Sequence, residues 1–237
     1  MSAKGGSASG GKKEIIVISL GGSLIVPDEI DYRFLAKFRR LILTRLRRGN
    51  RFILICGGGK TARNYQAAAK NIGRLTDDDI DWLGIHATRI NAHLLRTIFL
   101  KKAHPKIIVK PDKKTDWREP ILIAAGWKPG FSTDYDAVLL AKLYGAKKIL
   151  NLSNIDYVFD SDPKKNNKAK PITRTGWREF RKLIPKKWSP GINSPFDPVA
   201  SRAAQNFGLE VAIINGRTFN SINNYLAGKK FKGTVIS

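Results

Sequence analysis

The chain has 237 residues, 42% of them hydrophobic and 26% charged, a balance that excludes a disordered or fibrous polypeptide and allows one or two domains with a sizeable core. Its single cysteine, Cys56, excludes an intrachain disulfide and a thiolate metal cluster and points to a cytoplasmic setting, and no apolar run approaches the roughly 20 residues that span a bilayer. Forty-three Lys and Arg against 19 Asp and Glu give a net charge of +24, which favours encounter with anions; no zinc-finger, single-strand-binding or RNA-recognition pattern organises that charge, so a nucleic-acid partner is open but not favoured.

Residues 1–13, MSAKGGSASGGKK, cannot bury apolar surface and read as a flexible tail or an expression remnant, leaving 14–237 as one folded domain. Apolar, Ile- and Val-rich runs then recur between Gly, Asn and Pro: IIVISL from Ile15, FILIC from Phe52, KIIVK from Lys106, ILIAA from Ile121, KILNL from Lys148 and VAIIN from Val211. Each reads as a strand buried on both faces of a parallel sheet. Segments of helical period alternate with them at Asp31–Arg48, Thr61–Asn71, Asp77–Lys102, Asp134–Tyr144 and Asp197–Phe207. That order predicts an α/β fold, a three-layer α/β/α sandwich around a mainly parallel sheet. The stretch from Tyr157 to Ile192, dense in Lys, Pro, Asn and Trp, breaks the pattern and reads as a hairpin, loops and a short helix over the sheet edge.

Two glycine-rich turns follow predicted strands, Gly21-Gly22-Ser23 and Gly57-Gly58-Gly59-Lys60. Glycine lets backbone N–H groups approach an anion and a following helix N-terminus adds a favourable field, so such turns suit phosphates. A P-loop is excluded because Leu54 stands where its first glycine is required, and the G-x-G-x-x-G dinucleotide fingerprint is absent. Asp160-Ser161-Asp162 lacks the rest of a calcium loop, and His86 and His93, seven apart, read as packing or surface residues. Ser132-Thr133-Asp134 enters a helix, with Asp134 as the expected N-cap and a carboxylate able to hold Mg2+ or orient lysines. Glycine turns, a carboxylate and dispersed Lys and Arg are the inventory that phosphoryl transfer needs, since that chemistry depends mainly on positioning and charge.

The ordered set GGSLIVP at 21–27, GGGKTARNY at 57–65, DWLGIHATRINAHLL at 81–95, PGFSTDYDAVLLA at 129–141, NIDYVFDSDPKKN at 154–166, FDPVAS at 196–201 and GTVI at 233–236 resembles the amino acid kinase superfamily, most closely its archaeal-type uridylate (UMP) kinases. The resemblance covers Ile15–Ile236; the histidine that an isopentenyl phosphate kinase would carry after the second turn is absent from Thr61–Tyr65. It implies a kinase moving the γ-phosphoryl group of ATP to UMP with Mg2+, the acceptor nearer the amino-terminal half and ATP nearer the carboxyl-terminal half, in a hexamer. By the same resemblance Asp134, Lys60 and Lys164 serve catalysis; Gly58, Asp81 and the loop of Trp127, Lys128, Pro129, Gly130, Phe131, Ser132 and Thr133 hold UMP; and Gly22, Ser23, Gly59, Arg63, Ser153, Phe159 and Asp162 meet ATP. No metal ligand is assigned. Two positions depart from the pattern: Ser19, where many members have Lys, and Tyr157, where glycine is usual and a positive φ would be costly for tyrosine. Two alternatives stay open, a related kinase with another small acceptor and a catalytically degenerate nucleotide- or nucleic-acid-binding protein.

Overall fold

The computed structural model describes residues 14–163, 165–187 and 194–237; the expected tail and Lys164 lie outside the described residues. Strands β1 (Ile15–Leu20), β2 (Arg51–Cys56), β3 (Ile121–Ala124), β4 (Lys148–Ser153), β7 (Arg174–Thr175), β8 (Glu210–Asn215) and β9 (Thr234–Ile236) form one sheet in the order β3-β2-β1-β4-β8-β9-β7. The first five strands in that order are parallel, β9 runs antiparallel to β8, and β7 is parallel to β9. A separate short hairpin pairs β5 (Val158–Phe159) with β6 (Pro171–Ile172). The expected three-layer α/β architecture is the one observed.

Alternation along each strand feeds two cores. Ile16, Ile18 and Leu20 of β1 with Phe52, Leu54 and Cys56 of β2 face helices α1 (Gly22–Ile25), α2 (Tyr32–Leu46), α4 (Asp77–Phe99) and α8 (Phe219–Leu226). Val17, Ile53 and Ile55 face α5 (Thr133–Tyr144), α6 (Trp177–Phe180) and α7 (Pro198–Asn206). Strands buried on both faces carry no polar stripe, which is why they read as continuous apolar runs. Helix α3 (Gly59–Ile72) buries only Ala62 and packs on α4.

Local chemistry sets the helix starts. Asp31 caps α2 by accepting from Phe34 N at 2.9 Å, and Thr76 with Asp79 forms a capping box ahead of α4, whose first turn carries Asp77, Asp78 and Asp79 against the positive end of the helix. Three expectations are corrected. Lys106–Lys110 is no strand: Ile108 makes a lone parallel bridge to Ala124, while Pro105 and Pro111 lack the N–H groups that would extend the ladder. Helix α4 stops at Phe99 and passes through Leu100, at φ +50°, into a 3-10 turn over Leu100–Lys102. Asp134 is not the cap of α5: Ser132 is, its Oγ accepting from Tyr135 N at 3.1 Å, which releases the Asp134 carboxylate for other partners.

Candidate active site

The two glycine turns close over the carboxyl ends of β1 and β2 and touch each other through their backbones. A Cβ on Gly22 would lie 2.0 Å from Gly59 N, and a Cβ on Gly59, which adopts φ +67°, would lie 2.4 Å from Gly22 O. No side chain fits at either position, so glycine here is demanded by close approach. Two further contacts fix the second turn. Lys60 N donates to Val26 O at 2.9 Å, and the buried amide of Asn91, reaching from α4, donates to Gly57 O at 2.8 Å and Gly58 O at 3.3 Å. Gly57 N also donates to Leu20 O at 2.9 Å, so the turn is tied to β1, to the end of α1 and to α4.

Asp134, in the first turn of α5, is the hub of the opposite wall. Its Oδ1 accepts from Ser19 Oγ at 2.9 Å and Asn151 Nδ2 at 3.1 Å, and its Oδ2 accepts from Asp197 N at 3.2 Å. Burial first, then the neighbouring Asp197 carboxylate, pushes the Asp134 carboxyl up to about 7, against the lowering effect of Ser19 and the Asp197 N–H. Asp197 caps α7 through Ala200 N and precedes a proline in the first turn; burial raises its pKa too, against the lowering effect of Ala200 N and the Ser132 hydroxyl, and its Oδ2 is buried with no close hydrogen-bond partner among the described residues. Two carboxylates thus share one polar corner with no described lysine bonded to either.

Between these walls lies a cavity of about 310 Å³, lined by Gly58, Gly59, Arg63, Gln66, Asp81, Thr88, Gly126, Phe131, Ser132, Thr133, Asp134, Ser194 and Asp197, among others. Eight residues singled out in the sequence therefore meet at one place: Gly58, Gly59, Arg63, Asp81, Phe131, Ser132, Thr133 and Asp134. Asp81 sits at its far end with Oδ2 accepting from Gly130 N at 2.9 Å, and burial raises its pKa although that hydrogen bond lowers it. Trp127, Lys128, Pro129 and Gly130 form the outer course of the same loop and do not line the cavity. There the Trp127 and Phe131 rings lie 5.1 Å apart and the Lys128 ammonium stands over both, 4.5 and 4.9 Å from their centroids.

Of the residues expected to meet ATP, Gly59 and Arg63 line the cavity, while Gly22, Ser23, Ser153, Phe159 and Asp162 do not. Arg63 Nη1 donates to Ser23 Oγ at 3.3 Å, linking α3 to α1 beside Gly22. Ser153 ends β4 and its carbonyl accepts from Gly216 N at 2.9 Å, while a Cβ on Gly216 would strike Leu24 Cδ1 at 2.2 Å, so the β8–α8 turn abuts α1. Phe159 lies in the small hairpin opposite Pro171, and Asp162 is exposed in its connection, its carbonyl accepting from Lys165 N and Asn166 N. Lys60 pairs with Asp28 at 3.8 Å and is not among the residues lining the cavity. Asn91, Asn151, Asp197, Thr88 and Asp136 escaped the sequence reading; a polar Asn151 within the apolar run KILNL and the sequence Asp197-Pro198 at a helix start were the available signals.

The profile of the amino acid kinase family matches residues 14–215. The chain belongs to the amino acid kinase family. Among its relatives in that family, the uridylate kinase of Thermococcus sibiricus is 33% identical over 93% of this chain and 98% of its own length, and that of Pyrococcus abyssi is 31% identical over 93% and 98%. The crystal structure of uridylate kinase from Archaeoglobus fulgidus superimposes with a TM-score of 0.78 at 28% identity, covering 94% of this chain and 99% of the other. A UMP kinase from Bacillus anthracis shares the fold, with a TM-score of 0.77 at 22% identity over 94% and 96% of the two chains.

Within this amino acid kinase, the two unusual positions have local solutions. Ser19 is buried and spends its hydroxyl on Asp134. Tyr157 has a negative φ, since Leu100 is the one non-glycine residue with positive φ among the described residues, so the turn before β5 does not ask tyrosine for the conformation that favours glycine. Asn215 Nδ2 ties that turn to β8 through Asp156 at 2.8 Å. No helix among the described residues is long and apolar enough to cross a membrane.

Proposed function

We propose that this chain is an ATP-dependent phosphotransferase that converts UMP to UDP. The observation that carries the reading is the cavity itself: the second glycine turn, interlocked with the first, Asp134, and Asp81 with the Phe131–Thr133 loop all border one space. In this reading the glycine amides and Arg63 hold the transferring phosphoryl group, the Phe131–Thr133 loop encloses the nucleotide, and Asp81 offers Oδ1 to the ribose hydroxyls while Oδ2 keeps Gly130. ATP lies across Gly22, Ser23, Ser153, Phe159 and Asp162, so acceptor and donor divide between the amino- and carboxyl-terminal halves. The names of the curated relatives support uridylate over other acceptors.

Phosphoryl transfer needs charge neutralisation at the phosphates more than a dedicated nucleophile. Mg2+ takes most of its ligands from phosphate and water and needs only one or two carboxylates. No group of three or more His, Cys, Asp or Glu gathers among the described residues, and the partnerless Asp197 Oδ2 beside Asp134 fits that smaller demand. Mg2+ bound there would neutralise the phosphate oxygens; Asp134 and Asp197 would hold it, and Asp134 would keep Ser19, Asn151 and the start of α7 in register. Self-association is part of the proposal: Tyr65 and Ile72 on α3 and Trp82 and Ile90 on α4 leave apolar surface exposed, 87% for Ile72.

The test is ADP release from ATP and Mg2+ across a panel of UMP, CMP, AMP, GMP and small carboxylate or phosphate acceptors. UMP should give the highest kcat/KM. Preferred turnover of another acceptor would replace the substrate assignment, and absence of turnover with every acceptor would replace the enzyme assignment.

A further inference from the structure

Asp136 has no place in the site as drawn so far. It lies in α5 wholly buried, next to Ala137, Val138, Leu140 and Ala141, which fill the apolar layer against the sheet. An apolar side chain would pack there without the desolvation that a carboxyl suffers. Burial pushes its pKa up to about 7, and among the described residues Oδ1 has no partner and the whole polar return is one hydrogen bond, Oδ2 accepting from Trp127 N at 3.1 Å.

That amide stands where the chain leaves β3 and turns over the cavity. The adjoining groups are held in the same manner. Gly126 N donates to Thr88 Oγ1 at 2.8 Å, Trp127 O accepts from Arg89 Nη2 at 3.2 Å, and Gly130 N donates to Asp81 at 2.9 Å. Three of these four clamps come from α4, and Asp136 alone supplies one from α5. The loop it anchors is continuous with the cavity wall, because the rings of Trp127, Phe131 and Tyr135 follow one another at 5.1 Å spacings and Phe131 lines the cavity.

We propose that Asp136 is a positioning residue for the acceptor: through the amide of Trp127 it pins the 126–132 loop to α5 and so sets where Phe131 and Ser132 meet the bound nucleotide. The proposal rests on reading this cavity as the acceptor pocket. Asp136 touches no substrate. Its retention in an apolar layer is accounted for by the loop and not by the core, and this distinction gives the experiment its sign.

Asp136→Leu removes the acceptor atom and fills the layer, whereas Asp136→Asn keeps an oxygen for Trp127 N. Each is measured for Tm, for kcat and KM of both substrates, and for amide hydrogen exchange of the peptide covering 126–132. The Leu variant should melt no lower than the parent, exchange that peptide at least tenfold faster, and raise the UMP KM about tenfold while kcat and the ATP KM stay within about threefold. The Asn variant should restore both the exchange protection and the UMP KM. A purely structural carboxyl predicts the reverse, a lower Tm in the Leu variant with both KM values unchanged. Unaltered exchange overturns the anchor, and faster exchange with an unaltered UMP KM overturns the positioning role. Should the parent prefer another acceptor, the uridylate reading fails on its own, and the same KM comparison with that acceptor decides the role of Asp136.

Discussion

Asp134→Asn removes one charge from the site and changes almost nothing else in shape. Asparagine offers a single acceptor oxygen. Turned toward Ser19 Oγ and Asn151 Nδ2, which Oδ1 serves at 2.9 and 3.1 Å, it leaves its own N–H groups facing Asp197 N. The loss is one hydrogen bond to a charged acceptor, about 1.5 to 3 kcal/mol, offset by no longer burying a charge beside Asp197. Helix α5 keeps its cap, because that cap is Ser132. The net change in stability should therefore stay within about 2 kcal/mol, a Tm shift of at most about 8 °C for a chain of this size. Catalysis should suffer far more. If the carboxylate organises cation and phosphates where charge is redistributed in the transition state, its loss costs about 3 to 4 kcal/mol, a fall in kcat of roughly two to three orders of magnitude. Steady-state ADP release with ATP, UMP and Mg2+, read beside a melting curve, separates the two. A kcat within threefold of the parent, or a kcat loss matched by a collapse of Tm, would refute the reasoning.

The pH dependence of kcat/KM follows from the same group. In the free protein the Asp134 carboxyl is held up to about 7, so its ionised form accumulates as pH rises through that value; kcat/KM should climb between about pH 6 and 8 and level off above, and Asp134→Asn should abolish that limb. A flat parental profile across this range would remove Asp134 ionisation from the rate. Asp81→Asn should raise the UMP KM about tenfold with less effect on the ATP KM, by weakening both the ribose contact and the hold on Gly130 N; unchanged kinetics would take Asp81 out of the site. Gly22→Ala should lose both activity and several degrees of Tm, since its Cβ would fall 2.0 Å from Gly59 N and force the two turns apart. An active, equally stable alanine variant would contradict the interlock.

The layered α/β fold was legible because strands buried on both faces must be apolar throughout and their helices carry one apolar stripe. Phe34, Leu35, Phe38, Leu41 and Ile42 of α2 are buried as their spacing requires. Short elements were legible only in part. The β5–β6 hairpin and the short helix α6 fall in the stretch read as a hairpin, loops and a short helix, whereas α1, with four residues, and β9, with three, are too short to show a period. The run KIIVK had strand composition, and the prolines on either side decided otherwise. The glycine turns were readable as tight turns between a strand and a helix, yet their mutual contact depends on distances between β1 and β2 that no spacing reveals. Asp134 was found by its motif but given a local role that Ser132 fills. Asp197 and Asn91 act through contacts far away in sequence, such as the bond from Asp197 N to Asp134 across 63 positions, and Asp136 acts through a loop amide that no helical or strand period marks.

The most direct measurement follows the phosphorus atom. The chain is mixed with UMP, Mg2+ and ATP carrying label at the γ-phosphorus, and the products are separated with time. The label should appear in the β-phosphate of UDP in step with ADP, at a rate that falls by two to three orders of magnitude in Asp134→Asn. Label released as inorganic phosphate, retained on the protein, or left on ATP while UMP stays unchanged would contradict the account.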